Sequence, residues 1–318
     1  MNAENKRFVS VVFLLVSWLS LNLNLVDSHI LVKASSDIIC VPDNYQKIQW
    51  AIDNVSAGST IFVSSGVYYE HLIIDKALTL KGENRESIID GNGTGNVVTV
   101  TANNVSISGF TIQNSGPDFW DSGIRLYFSS YQNISYNTLI NNAHGIWFDG
   151  CNHSTISENE ILNNKCGIGL SSSNNNTIAN NHVFSSDDCG IGLDYSSNNT
   201  IIGNAVENNG YGIWICSAED NIVFHNNIIN NTKQMHCYNS TNTWDSNGRG
   251  NYWSDYGGED ADLDGIGDTP YEIDLNNIDH YPLMETVVLP ELSNIVLLMI
   301  LALAATGLLK RFASKVKT

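Results

Sequence analysis

The sequence predicts an all-β fold, a single-stranded right-handed parallel β-helix with coils of about 22 residues, and three observations predict it. A Gly-Ile pair recurs at Gly123-Ile124, Gly145-Ile146, Gly167-Ile168, Gly190-Ile191 and Gly212-Ile213, at spacings of 22, 22, 23 and 22 residues. A sixth unit fits at Gln234-Met235 with the glycine lost. Asn137, Asn159, Asn181, Asn204 and Asn226 keep the same spacings in phase with it. Alternation supplies the third: the residues one and three after each glycine (Ile124/Leu126, Ile146/Phe148, Ile168/Leu170, Ile191/Leu193, Ile213/Ile215 and Met235/Cys237) are all apolar. In a strand such residues share one face, which is the core. A period in this range means stacked units, none of which buries its own apolar face alone. A propeller blade needs about 40 residues or more, and the Leu-x-x-Leu-x-Leu pattern of a leucine-rich solenoid is absent.

The elements follow in chain order. Residues 1–34 read as an export signal: Lys6 and Arg7 precede the apolar run 8–21, and Val32-Lys33-Ala34 offers a small-residue cleavage site. An uncleaved anchor is the alternative. Residues 35–103 hold an N-terminal cap and first irregular coils. Tyr45, Ile48, Ala51 and Ile52 share one face of an expected amphipathic helix over 41–55. Short β-patterned runs follow at 60–63, 71–75, 78–80, 87–89, 97–100 and 105–112, punctuated by glycines. Residues 104–243 carry the regular repeats. Residues 244–288 break the period and are rich in Trp, Tyr, Asp and Gly, as a cap over an open stack should be. Residues 289–318 end the chain with an apolar run, 295–309, flanked by Lys310, Arg311, Lys315 and Lys317. The run is short for a spanning helix of about 20 residues, but its basic flank reads as a cytoplasmic stop.

Composition narrows the partners. A net charge of −18 argues against a nucleic-acid partner, which requires Lys and Arg to displace counterions. It favours solubility and attraction for cations. The nine Asn-x-Ser/Thr triplets, at Asn54, Asn92, Asn104, Asn133, Asn152, Asn175, Asn198, Asn230 and Asn239, are acceptors for glycosylation in an exported chain. Asn-rich repeats also generate such triplets by composition.

Two constellations stand out from the residues themselves. Asp260, Asp262, Asp264 and Asp268, with Gly265 at the sixth position, have the oxygen-ligand spacing of a calcium loop. Tyr271 stands where an EF-hand has its bidentate Glu, so the expectation is a short extracellular loop in which calcium is structural. The alternative is a solvated acidic turn. On the outward strand face, the residues two after the glycines are Arg125, Trp147, Gly169, Gly192, Trp214 and His236. At about 4.8 Å per coil, Trp147 and Trp214 stand about 14 Å apart over two glycines. Asp149 and Asp194 line the adjacent row. Two aromatic walls, a bare floor and nearby carboxylates make a groove for an extended glycan through ring stacking and hydroxyl hydrogen bonds. The alternative is that these aromatics pack against neighbouring loops. Cys166 and Cys189 hold the same position on adjacent coils, about 5 Å apart, so a disulfide and a stacked pair of thiols both remain open.

The chain resembles the NosD-like, pectin-lyase-type parallel β-helix proteins built of carbohydrate-binding and sugar-hydrolase (CASH) repeats. The residues that carry the resemblance are Cys40-Val-Pro-Asp-Asn-Tyr-Gln-Lys-Ile-Gln-Trp-Ala-Ile-Asp53, Val105-Ser-Ile-Ser-Gly-Phe-Thr-Ile112, the repeats, and Gly250-Asn-Tyr-Trp-Ser-Asp-Tyr256 leading into Asp268-Thr-Pro-Tyr271. Leu289-Pro-Glu-Leu292 before an apolar run and basic residues is similar to PEF- or PEP-type sorting signals, which implies a sortase-like processing enzyme as a partner. The resemblance brings two further candidates. Asp187 and Asp188 resemble the paired aspartates of polygalacturonases, but the companion segments of that family are missing and coil-edge solvation also explains them. Met235-His236-Cys237 offers soft ligands for copper, but strand alternation puts His236 opposite the other two, so the three do not close on one ion. The resulting expectation is an exported protein on the extracellular face of the envelope, held by its C-terminal segment and binding an extended glycan or envelope polymer without catalysis. A polysaccharide lyase or glycoside hydrolase is the enzymatic alternative; a structural envelope protein and a copper-maturation accessory are the others.

Overall fold

The computed structural model describes residues 38–288. The export signal and the C-terminal sorting-like segment lie outside them. Within these residues the chain winds through three parallel sheets of nine, nine and eight strands. Each regular coil contributes a six-residue strand such as Ser122–Tyr127 to sheet III, then a three-residue strand such as Asn133–Ser135 to sheet I and another such as Thr138–Ile140 to sheet II. Neighbouring coils pair in register without slippage: Ile124, Ile146, Ile168, Ile191, Ile213 and Met235 lie side by side. That row and the row from Leu126 to Cys237 face inward, and every member through Ile215 is buried. Met235 and Cys237 on the last coil are only partly buried against the core.

The recurring glycine has a steric cause. A Cβ on Gly145 would stand 2.6 Å from the carbonyl oxygen of Gly167 on the next coil, and one on Gly212 would stand 2.6 Å from that of Gln234. Only a residue without a side chain lets the coils approach so closely at that corner.

Buried amides line all three corners of the prism. Along the ladder between sheets I and II, each Asn Nδ2 donates to the Oδ1 of the next from Asn137 to Asn251, at 2.9–3.2 Å. Asp279 of the cap ends the row, accepting from Asn251 Nδ2 at 3.2 Å and from Trp253 Nε1 at 2.9 Å. A second ladder runs through Asn142, Asn164, Asn209 and Asn231, and a third through Asn176, Asn199, Asn221 and Asn242. These side chains satisfy backbone groups that a tight corner would otherwise bury unpaired.

The N-terminal expectation requires a correction. Only Ile48–Asn54 is helical, while Ile38–Val41 forms a strand paired with Thr60–Val63. Strand pairing satisfies the backbone of 38–41, and Pro42 supplies no N–H to carry a helix through the turn. Glu70 caps the helix by accepting from the backbone N–H of Ile48 (2.9 Å) and Gln49 (3.0 Å). The single run expected over 105–112 is two strands, Ser106–Ser108 and Thr111–Gln113, divided at Gly109, whose φ is +82°. At the other end, Trp244 and Trp253 are fully buried beneath the antiparallel hairpin of Tyr271–Asp274 and Asn277–Asp279, and Trp253 stacks on Tyr271 at 4.3 Å.

Candidate functional site

The outward face of sheet III carries the candidate site, and the row of Arg125, Trp147, Gly169, Gly192, Trp214 and His236 stacks in register along it. The row is not uniformly open. Between Ser115 and Gly123 the chain takes eight residues where other coils take three or four at the same corner, and the extra residues bring Phe119 and Trp120 back over the face. Trp147 lies edge-on to Phe119 at 6.1 Å, Trp120 at 6.2 Å and His144 at 4.4 Å, and only 7% of its surface is exposed. Its ring also lies over Gly169, where a Cβ would come within 2.4 Å of it. Trp147 is therefore a covered residue and not the exposed wall the sequence implies.

What remains is a cleft of about 230 Å³ lined by Phe119, His144, Trp147, Cys166, Asp188, Cys189, Gly192, Asp194 and Trp214. Gly192 is its open floor: a Cβ there meets only Cys189 Sγ, at 3.3 Å, and a backbone oxygen at 4.0 Å. A disulfide joins Cys166 and Cys189 across adjacent coils, with Cα atoms 4.8 Å apart, and forms part of the lining. Trp214 is the far wall, flanked by Tyr211 at 4.9 Å and tilted on His236 at 4.1 Å. A larger cavity, about 600 Å³, opens between Lys233–Tyr238 and the cap, but its lining includes one aromatic ring, Tyr271, and no bare floor.

The two aspartates of the outer row separate in role. Asp194 lies in the cleft, where burial pushes its carboxyl above the usual carboxylate range while the Trp214 indole, donating to it, works against that rise. Asp149 is drawn instead to Arg125, whose Nη2 donates to it at 3.3 Å. That guanidinium is buried among Trp120, Tyr127 and Trp147 at 4.8–5.7 Å and donates to the Trp120 carbonyl at 2.8 Å. Asp149 is not part of the cleft lining. Of the paired aspartates at the coil edge, Asp188 lines the cleft and Asp187 does not.

His144 is a cleft residue that the spacing of the outward row does not reveal. Burial, with the Arg125 and Lys165 charges adding to it, brings its pKa from 6.5 down to about 4, so the ring is neutral at pH 7. Because the folded value lies below the unfolded one, the unfolded chain binds the extra proton. The stability this residue contributes is complete above about pH 6.5 and is lost as pH falls toward 4. The shift corresponds to about 3 kcal/mol. Denaturation midpoints of the wild type should fall across that window and those of His144→Gln should fall less; parallel curves would contradict the assignment.

In the cap, one ligand atom from each of Asp260, Asp262 and Asp264 lies within 4.8 Å of the others. Asp260 accepts from the backbone of Asp264 (3.1 Å) and Gly265 (2.9 Å), so the turn itself gathers the carboxylates. Crowding by the Asp264 charge, first among its causes, raises the pKa of Asp262. Asp268, expected to join them, accepts from Ala261 N at 2.9 Å and lies outside the group.

Among the described residues, Met235, His236 and Cys237 do not converge on one copper ion. Among the described residues the aspartate group is the one cluster of three or more His, Cys, Asp or Glu side chains able to hold a metal. His236 lies against Trp214 on the outer face, while Met235 and Cys237 pack against the core. Burial pushes the Cys237 thiol up to about 11, away from the thiolate that copper would take.

Stretches of 72 and 70 residues are 42% and 40% identical to the probable ABC transporter binding protein NosD of Pseudomonas aeruginosa and to a cell surface glycoprotein of Methanothermus fervidus. These matches cover 22% and 21% of this chain but only 17% and 12% of the relatives. Among solved structures, pectin methylesterase PemA from Erwinia chrysanthemi aligns with a TM-score of 0.47 at 14% identity, over 67% of this chain and 92% of that one. A polygalacturonase from Erwinia carotovora aligns at 0.42 and 16%, over 65% and 77%. Neither likeness carries an argument about activity. The profile of the periplasmic copper-binding protein (NosD) family matches residues 52–258, well over half of the chain and nearly all of the coils just described, and the chain belongs to that family.

Proposed function

We propose that this chain is an exported β-helix protein whose sheet III cleft binds an extended glycan without breaking it. The observation that carries the reading is the open floor at Gly192 beside the Trp214 ring, with Phe119 and Trp147 opposite. A sugar ring has one apolar face and a rim of hydroxyls, which matches an aromatic wall with polar groups beside it. At about 230 Å³ the cleft is smaller than the roughly 300–1,000 Å³ of a drug-sized site, so it takes about one ring of a longer chain. Its lining holds Asp188 and Asp194 and no Lys or Arg. Together with the net charge of −18, this favours neutral or amine-bearing sugars over uronates. Export is supported by the expected leader, by the periplasmic and surface names of the relatives, and by the Cys166–Cys189 disulfide, which suits an oxidising compartment. Anchoring through 295–309 and cleavage by a sortase-like enzyme complete the reading.

The test is a glycan panel of neutral, amine-bearing and uronate polymers, scored for both retention and release of reducing ends. Retention of neutral or amine-bearing chains without release is the expected result. Release of oligosaccharides would favour the second reading, a hydrolase or lyase using the cleft carboxylates Asp188 and Asp194.

Calcium is proposed as a structural ion of the cap, held by Asp260, Asp262 and Asp264. Millimolar calcium should stabilise the protein by about 1–2 kcal/mol, magnesium less, because a cluster of flexible carboxylates suits the larger ion. Asp262→Asn should remove the gain. A melting midpoint indifferent to calcium would rule the site out.

A further inference from the structure

The nine Asn-x-Ser/Thr triplets separate sharply from the asparagines that hold the fold. Sixteen asparagines are buried, and none of them begins such a triplet. Of the nine that do, eight are exposed and Asn152 is half-buried. The repeat enforces this division. In two of the three ladders the residue two after the asparagine points into the core, as Leu139 does after Asn137 and Ile178 after Asn176, which disfavours Ser or Thr there; in the ladder from Asn142 to Asn231 it is His144, Cys166, Tyr211 or Lys233. The residue two after a corner asparagine such as Asn175 or Asn198 opens sheet I on its outer face, where Thr177 and Thr200 stand.

Five of the eight exposed acceptors share one side of the coils. Asn104, Asn175, Asn198 and Asn239 lie at the corner between sheets III and I on four different coils, and Asn133 opens a sheet I strand beside them. The four corner residues have φ between +49° and +58°, which Asn tolerates better than other side chains do. The same corner carries exposed aromatics: Phe128 is 81% exposed, Tyr131, stacked on His153 at 5.4 Å, 59%, Tyr195 67% and Tyr238 64%. Tyr195 precedes Asn198 by three residues and Tyr238 adjoins Asn239. A row of rings left in water invites association. A sugar attached beside each ring would lay its apolar face on it.

We infer that this corner is an N-glycosylated edge, modified at the exposed triplets and not at Asn152. Asn152 Oδ1 accepts from Asn174 N at 2.7 Å, and the hydroxyl of its Ser154 is buried and bonded to the carbonyl of Asn152 itself at 3.0 Å. The co-reactant is an oligosaccharide linked through its anomeric carbon to a lipid phosphate, supplied with a membrane transferase. The asparagine amide nitrogen forms the new bond to the anomeric carbon and the carbon–oxygen bond to phosphate breaks. The lipid phosphate leaves with the electron pair, and one amide proton passes to a base of the transferase. The inference is independent of the cleft: it concerns sugar attached to one edge, not sugar bound on sheet III.

Full-length protein from the membrane fraction of its own source cells, digested and read by tandem mass spectrometry, tests it. Hexose-bearing masses are expected on peptides containing Asn104, Asn175, Asn198 or Asn239, with Asn152 unmodified. Asn175→Gln and Asn198→Gln should each remove the glycan mass carried at that position and leave the melting midpoint near that of the wild type. Asn176→Gln, on the buried ladder, should lower the midpoint and leave the glycan mass unchanged. Unmodified peptides at all the exposed triplets, or a glycan on Asn152 with the corner bare, would overturn the assignment.

Discussion

Asn181→Leu should destabilise the fold by about 4 kcal/mol. Asn181 Oδ1 accepts from both the backbone and the side-chain nitrogen of Asn159, each at 3.0 Å. Its Nδ2 donates to Asn204 Oδ1 (3.0 Å), Ile156 O (2.9 Å) and Ala179 O (3.1 Å). Leucine keeps the branched four-heavy-atom shape, so no cavity is left; its bulkier methyl groups add some crowding to the cost of polar groups stranded in a dry corner. Each such group costs roughly 1–3 kcal/mol, and several are stranded at once. The lesion lies mid-stack, where the coils on each side depend on their neighbours, so it should also broaden the transition. Asn208→Gly is the control: Asn208 is exposed with φ 54°, a conformation glycine adopts freely. Urea titration of both variants decides the matter. If Asn181→Leu unfolds within about 0.5 kcal/mol of the control, the ladder is ornamental and the aliphatic core alone carries stability.

Trp214→Ala should weaken glycan retention by about thirtyfold, equivalent to about 2 kcal/mol of ring contact. Trp214 is the probe of choice because it is the half-exposed wall, positioned by Tyr211, His236 and the Asp194 carboxylate without being buried by them. Gly192→Leu should have a comparable effect by a different route. A side chain built there meets almost nothing and therefore grows into the cleft. Trp147→Ala is a poorer probe. Trp147 is buried beneath Phe119 and Trp120, and its truncation should cost about 3–5 kcal/mol of stability, so lost retention in that variant would not separate binding from folding. Wild-type retention in both Trp214→Ala and Gly192→Leu, with melting curves intact, would remove the cleft from consideration.

The core rows were legible because every coil contacts its neighbours through the same positions. The inward residues one and three after each glycine could be named from alternation alone, and so could the ladder from Asn137 to Asn226. The other two ladders share the period but are harder to read because their lettering is mixed. Ser186 stands where Asn164 and Asn209 stand, with only its backbone N–H bonded into the row, while Gln132 and Ser154 precede Asn176 and accept from the backbone of Val105 and Gln132. The first helix is shorter than its apolar pattern for a related reason: residues 38–41 pair with the strand 60–63, which a local pattern does not reveal.

The candidate site divides along the same line. Trp147 and Trp214 occupy one row and are equivalent by period, as are Asp149 and Asp194 in the next. The structure makes the members of each pair unlike. Phe119 and Trp120 cover Trp147, Arg125 takes Asp149, and Trp214 with Asp194 is left at the open end. The extra residues that cause this were visible as an insertion of aromatic character before Gly123, but not where they land.

The sequence by itself determined the β-helix, its coil length, its inward face and the register that sets Cys166 beside Cys189, because a stacked fold repeats its nearest-neighbour contacts at the period of the chain. Only the tertiary structure decided which outward residues are covered, which aspartate is paired, that Asp268 stands apart from the other three, and how large the cleft is. Those outcomes depend on aperiodic loops and on side chains that choose among several partners within reach, a competition settled by packing and burial and not by spacing.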